Sequence, residues 1–276
     1  MKRKIISLMA SALILTPTVS ANLSSVNAAY QPFSVTSVSN TVSLAQYDDG
    51  QLIDHAVFFP KDMAASNKKY PVVVWGNGTF ASWDAYEELL SQIAAGGYIV
   101  VANTDRFCGS GLTESESVNF IISEGSDKNS IFYNKVDAEH IGSAGHSQGG
   151  MSAVNSARLN SKIDCVFDIQ GCDLSYEASQ LKVPTFFLTS TDDMVIKSPL
   201  VKASYNACKT SCVYASLKNI THFGPVDGHS ASLFSEYAVK WFDAFLKNDK
   251  SARAVFLNGG KLSKDSRWVN YTSKNF

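Results

Sequence analysis

The sequence predicts an α/β fold: a mostly parallel central sheet with helices on both faces and an antiparallel hairpin at its N-terminal end. Three observations carry that expectation. From Tyr70 onward, short apolar runs rich in β-branched residues alternate with segments of helical periodicity. The 276 residues are 45% hydrophobic and 18% charged, enough to bury one large core. Finally, Gly-His-Ser-Gln-Gly, residues 145–149, falls where one apolar run gives way to a helix-forming stretch.

The elements follow in order. SVTSVSNTVSL and LIDHAVFFP, separated by the turn-forming Asp48-Asp49-Gly50, predict a hairpin at a sheet edge. PVVVWG is a buried strand, AYEELLSQIAAGG a helix closing on glycine, YIVVANT a strand and SESVNFIISEG a helix. The strands continue through HIGSAG, CVFDIQG, PTFFLTS and VYASLKN, and the helices through MSAVNSARL, PLVKASYNA and SLFSEYAVKWFDAFLK. No internal repeat or long linker interrupts them, so residues 30–276 read as one domain. The last segment, SARAVFLNGGKLSKDSRWVNYTSKNF, is expected as a tail packed against that domain.

Residues 1–29 read as an export signal: MKRK, then the apolar IISLMASALILTPTV, then small residues around Ser20, Ala21 and Ala28. Ser11, Thr16 and Pro17 break the apolar run, which falls short of the ~20 residues a membrane span needs. The expectation is a secreted protein with no membrane partner. A net charge of -1 and no basic run beyond the first four residues argue against a nucleic-acid partner. Export permits disulfides among Cys108, Cys165, Cys172, Cys208 and Cys212. Cys208 and Cys212 are close enough for a local bridge, while Cys165 and Cys172 can pair with each other or either of them with Cys108. With no CxxC or HExxH pattern, no metal site is expected.

Between a strand and a helix, Gly-x-Ser-x-Gly has a mechanical meaning. The turn is so tight that the serine adopts a strained backbone and bulky neighbours would clash, so Gly145 and Gly149 make room for it. Ser147 is thereby lifted above the carboxyl edge of the sheet, at a helix N-terminus suited to a developing negative charge. Its hydroxyl needs a base, and the base needs an orienting acid. Only His222 and His229 follow Ser147. His222 lies in the loop after the last predicted strand, where it can swing over the sheet edge, whereas His229 sits near a helix start. His146 should point away from the serine as a packed neighbour. Asp192 and Asp193, just past PTFFLTS, are both candidates for the acid.

Acyl transfer also calls for two backbone donors facing the oxyanion. The N–H of Gln148 supplies the first; for the second, the glycine-rich WGNGTF loop offers Thr79, with Gly78 and Phe80 as neighbours able to replace it. Phe80, Trp83 and Phe107 are candidates to line an apolar acyl pocket, although aromatics near strand ends are often core residues.

WGNGT, GHSQGG, PTFFLTSTDD and THFGP together resemble the α/β-hydrolase superfamily. The likeness covers nearly the whole chain after the export segment. More narrowly, the chain resembles the secreted esterases that include bacterial cutinases, polyester (PET) hydrolases and dienelactone-hydrolase-like proteins. The resemblance implies hydrolysis of carboxylic esters without a cofactor, and it selects Asp193, giving Ser147, Asp193 and His222 as a triad. Polyesterases of this branch often carry methionine after the nucleophile and tryptophan past the next strand; this chain has Gln148, and Gly171 and Cys172. A monomer acting on small or surface-accessible esters is expected, since the elements leave little room for a lid. A serine peptidase or acyltransferase would use the same triad, and a noncatalytic binding protein is the rival outside enzymes. Asn77, Asn219 and Asn270 begin N-x-T matches that are read as chance.

Overall fold

The computed structural model describes residues 33–43, 52–171 and 175–276 of the chain. The expected export segment, the turn expected at Asp48-Asp49-Gly50 and the pairings expected of Cys172 lie outside these residues.

The strands are β1 (Phe33–Ser43), β2 (Leu52–Pro60), β3 (Tyr70–Gly76), β4 (Ile99–Asn103) and β5 (Val136–His146). They continue as β6 (Ile163–Ile169), β7 (Thr185–Ser190), β8 (Cys212–Leu217) and β9 (Trp268–Lys274). All nine form one sheet in the order β1-β2-β4-β3-β5-β6-β7-β8-β9. The six strands from β4 to β8 run parallel. As expected, β1 and β2 pair antiparallel at one edge, with Val35 opposite Phe58. Parallel neighbours need crossover connections, and the chain supplies α1 (Glu87–Ala95), α2 (Leu112–Ser126), α3 (Gln148–Leu159), α4 (Ser175–Ala178) and α5 (Ser198–Ala207). After β8 come α6 (Ala231–Leu246), α7 (Lys250–Ala254) and α8 (Lys261–Lys264).

The central strands read as continuous apolar runs because both faces are covered. Along β3, Val73 and Trp75 join one buried layer with α1 and α6, while Val72 and Val74 join a second layer with Val118 and Ile121 of α2. A third apolar cluster joins Val154 of α3, Phe187 of β7 and Val201 of α5. Trp241 of α6 is fully buried, with ring contacts to Phe245 at 4.5 Å, Phe256 at 5.0 Å and Phe186 at 5.7 Å.

The C-terminal segment is more than a packed tail. Residues 268–274 form β9, antiparallel to β8, with Leu217 opposite Trp268 and Cys212 opposite Lys274. Asn270 has φ 56° in the left-handed region, and the register shifts beside it, which breaks the alternation that would have marked a strand. A disulfide joins Cys208 and Cys212, between the end of α5 and the start of β8, whereas Cys108 and Cys165 are buried free thiols.

Because Trp241 fills the junction of α6 with the sheet, Trp241→Ala should lower stability by about 3–5 kcal/mol, read from the urea unfolding midpoint. A midpoint shift worth under about 1 kcal/mol would mean the layer repacks around the loss.

Candidate active site

Parallel strands deliver their loops to one edge of the sheet, and the candidate residues are drawn from that edge. At its centre, β5 ends at His146 and α3 begins at Gln148, leaving a single residue for the turn. Ser147 occupies it with φ 58° and ψ -120°, a conformation that a non-glycine residue holds only when its surroundings over-determine it. The surroundings do so: Ser147 N–H donates to the Ile169 carbonyl at 2.9 Å, and the Ser147 carbonyl accepts from Gly150 N–H at 3.0 Å. A Cβ on Gly149 would stand 1.9 Å from the Gly76 carbonyl oxygen, and one on Gly145 would stand 2.1 Å from the Gly149 oxygen. These two glycines are therefore required by close backbone approach, as the motif predicts. Ser147 is partly exposed.

Beside the turn, Asp193 and His222 meet. His222 Nδ1 lies 2.8 Å from Asp193 Oδ2, both residues being buried. The other carboxylate oxygen, Oδ1, accepts from the N–H groups of Val195 at 2.9 Å and Ile196 at 2.8 Å, which fixes the carboxylate plane. Asp192 faces solvent and accepts from Thr191 Oγ1, so the two adjacent acids have separate surroundings. His229 is exposed at the approach to α6. With Nδ1 donating to the carboxylate, Nε2 is the ring nitrogen free to take a proton. The His222 ring packs against His146, the residue preceding Ser147, with centroids 4.7 Å apart. No hydrogen bond joins Ser147 Oγ to His222 in this structure; such contacts often tighten only when substrate binds.

The loop after β3 is tied down at nearly every peptide. Asn77 Nδ2 donates to the carbonyls of Asn103 at 2.7 Å and Asp105 at 3.0 Å. Gly78 N–H donates to the Tyr86 hydroxyl at 2.9 Å, and Phe80 N–H donates to the Arg106 carbonyl at 3.1 Å. Of the three backbone donors weighed from sequence, Gly78 and Phe80 are thus committed. Thr79 N–H and Gln148 N–H have no partner among the described residues.

The aromatic candidates divide. Phe80, at φ 66° and 72% exposed, meets the half-exposed Phe107 edge to face at 5.2 Å. Trp83 instead packs edge-on against Phe58 at 5.9 Å and joins the core layer under α1 and α6, so its contacts are those of a core residue rather than a pocket wall.

Several buried polar groups escaped the sequence reading. Glu114 of α2 lies wholly buried under the turn, accepting from Ser143 Oγ at 2.7 Å, with its second oxygen 2.7 Å from where a Gly76 Cβ would be. Helical spacing with Ser117, Val118 and Ile121 was the available signal for its inward face. Asp168 on β6 is packed against Gly150 and Gly171, and its Oδ1 has no hydrogen-bond partner. Desolvation pushes both carboxyls up to about 8. Burial lowers His146 to about 3, reinforced by repulsion from His222, and lowers His55 to about 4. Among the described residues no group of three His, Cys, Asp or Glu side chains is arranged to hold a metal ion.

The strand order and the strained serine between β5 and α3 are those of the α/β-hydrolase fold. The chain belongs to the PET hydrolase-like family, whose profile matches residues 15–273. It is 22% identical over 200 residues to cutinase est1 of Thermobifida alba, covering 70% of this chain and 65% of the cutinase. Cutinase est2 of the same organism is also 22% identical, over 70% of this chain and 64% of its own length. A bis(hydroxyethyl) terephthalate hydrolase from Streptomyces coelicolor matches at 22% over 42% of this chain and 37% of that enzyme. The chain thus spans just under two thirds of the length of the cutinases it matches.

The four buried titratable groups set a pH dependence of stability. Folded Glu114 and Asp168 keep their protons to about pH 8, while in the unfolded chain they ionise near 4.5 and 3.8. The stability they support below those unfolded values is lost as pH rises through about 8. Unfolded His146 and His55 take up protons below 6.5, whereas the folded rings do so only near 3 and 4, so stability falls as pH drops through that window. Between about pH 4.5 and 6.5 the two effects oppose each other, and above 6.5 only the acids act. Urea unfolding should therefore lose stability from pH 6.5 to 8, at up to about 1.4 kcal/mol per pH unit for each acid. The Glu114→Gln/Asp168→Asn variant should be flat over the same range; an equal decline in both proteins would contradict the assignment.

Proposed function

We propose that this chain is a secreted serine esterase of the cutinase and polyester-hydrolase type, acting as a monomer through residues 30–276 without a cofactor. Ser147 is the nucleophile, His222 the general base and Asp193 the residue that orients and stabilises the imidazole. The reading is carried by one observation: the buried His222–Asp193 contact of 2.8 Å beside a serine held at φ 58°.

The steps follow from the geometry. Ser147 Oγ attacks the ester carbonyl carbon as its proton passes to His222 Nε2, and Asp193 stabilises the imidazolium. The tetrahedral oxyanion accepts from Thr79 N–H and Gln148 N–H, neither of which has an acceptor among the described residues. Each such donor is worth roughly 10²–10³ in rate. Collapse expels the alcohol with the proton from His222, leaving an acyl group on Ser147. Water activated by the same imidazole then releases the acid.

Exposed apolar side chains follow the carboxyl ends of several parallel strands: Phe80 after β3, Phe107 after β4, Met194 and Val195 after β7, and Phe223 after β8. A rim of this kind favours esters with apolar acyl groups and surfaces made of them. The names of the relatives, cutinases and a terephthalate-ester hydrolase, support the same substrate class. Secretion rests on the character of residues 1–29, and no helix among the described residues is long and apolar enough to cross a membrane.

The test is a panel of p-nitrophenyl acyl esters, a polyester film and peptide amides assayed with wild type and Ser147→Ala. Short and medium acyl esters should be hydrolysed, peptides should not, and the alanine variant should lose about 10⁴–10⁶ in kcat. Full hydrolysis by Ser147→Ala would end the assignment, and peptide cleavage exceeding ester cleavage would replace the esterase reading with a peptidase.

A further inference from the structure

The buried groups behind the candidate oxyanion donors form a continuous chain. Gly78 N–H donates to the Tyr86 hydroxyl at 2.9 Å, and the Tyr86 oxygen lies 3.0 Å from His146 Nδ1. The Tyr86 hydroxyl proton has no other acceptor among the described residues, so it is directed to Nδ1, which makes Nδ1 the acceptor and leaves the His146 proton on Nε2. That nitrogen is buried and has no hydrogen-bond partner among the described residues. Tyr86 and His146 are 2% and 3% exposed, so water does not compete for these contacts. The His146 ring also backs the His222 ring at 4.7 Å.

This chain restricts what the loop after β3 can do. The peptide that carries Thr79 N–H also contains the Gly78 carbonyl, and that carbonyl accepts from Ala81 N–H at 3.0 Å. On one side Gly78 N–H is held by Tyr86; on the other Phe80 N–H is held by Arg106. The phenolic oxygen is thus the acceptor that holds Gly78 N–H, one peptide before the peptide carrying Thr79 N–H. A Cβ at residue 78 would stand 2.8 Å from the Tyr86 hydroxyl and 3.3 Å from His146 Nδ1, so a side chain there would displace the tyrosine.

We propose that Tyr86 is a positioning residue for the oxyanion hole, acting through Gly78 N–H to aim Thr79 N–H at the reacting carbonyl, with neutral His146 as the acceptor that orients the tyrosine. Tyr86 touches no reacting atom in this role. The proposal rests on the esterase reading above and adds a residue outside the triad and its two donors. Neutrality of His146 suits the task, since a second cation against His222 would oppose the imidazolium formed during catalysis. Burial keeps it neutral, with its pKa held near 3.

The experiment uses the full-length protein with p-nitrophenyl butyrate and a p-nitrophenyl alkylphosphonate that labels the nucleophile. Tyr86→Phe should lose about tenfold to a hundredfold in kcat and in phosphonylation rate, because the oxyanion interaction is made in the transition state. KM should move by less than about threefold, and the label should still reach one per protein. His146→Leu should match that loss, whereas His146→Asn, whose Oδ1 stands near the place of Nδ1, should recover to within about threefold of wild type. The Tyr86→Phe/His146→Leu pair should be no slower than the worse single variant, as expected for two members of one chain.

Tyr86→Phe with wild-type kcat, a loss seen in KM alone, or multiplicative losses in the pair would overturn the proposal. If Tyr86→Phe does not fold, equal activities of folded His146→Asn and His146→Leu overturn it and a gap of tenfold or more upholds it. A wild type that neither hydrolyses the ester nor takes the label overturns the esterase reading and this proposal together. Labelled, active wild type alongside unimpaired Tyr86→Phe overturns this proposal alone.

Discussion

The structure depends on one backbone contact, the approach of the turn at Ser147 to the end of β3. Gly149 presses on the Gly76 carbonyl so closely that a methyl group there would sit 1.9 Å from the oxygen. A contact between main chains cannot change rotamer. It joins the serine on one side to the loop carrying Thr79 on the other, so the proposed nucleophile and the candidate oxyanion donors are held by the packing of the sheet and α3. The strain at Ser147 persists because Ile169, Gly150 and the two glycines leave the residue no relaxed alternative.

Beneath that contact the protein keeps its polar groups uncharged. Glu114 is protonated at neutral pH and His146 is not, each because burial disfavours the ionised form. A buried charge at either position would change the field at His222 and cost several kcal/mol to desolvate. The arrangement leaves the His222–Asp193 pair as the strong polar contact next to the turn, in surroundings of low dielectric where such contacts act most strongly.

Much of this was legible in the sequence because the informative residues obey local rules. The glycines around Ser147 have no freedom to be anything else, apolar runs mark strands covered on both faces, and chain order restricted the histidine to two positions. The resemblance of PTFFLTSTDD to known esterases singled out Asp193, which meets His222 while Asp192 faces water. What stayed hidden is long-range. Nothing local separates Tyr86 from other helix-start aromatics, since its partners Gly78 and His146 are 8 and 60 residues away. Trp83 shares the loop of the candidate pocket residues, but packing against Phe58 from β2 turned it to the core. Strand β9 was masked by the left-handed Asn270, which interrupts a pattern that needs strict alternation.

In the proposed mechanism the hydroxyl at the strained turn becomes covalently acylated. Rapid acid quench of the protein with a slow-turnover ester, followed by intact-mass and peptide mass measurement, tests it most directly. One added acyl group per chain is expected, carried on the peptide containing Ser147 and missing when His222 is replaced by alanine. An acyl group on any other residue, or active turnover through many cycles with no acylated species at the earliest quench times under conditions where deacylation is slowed, would contradict it.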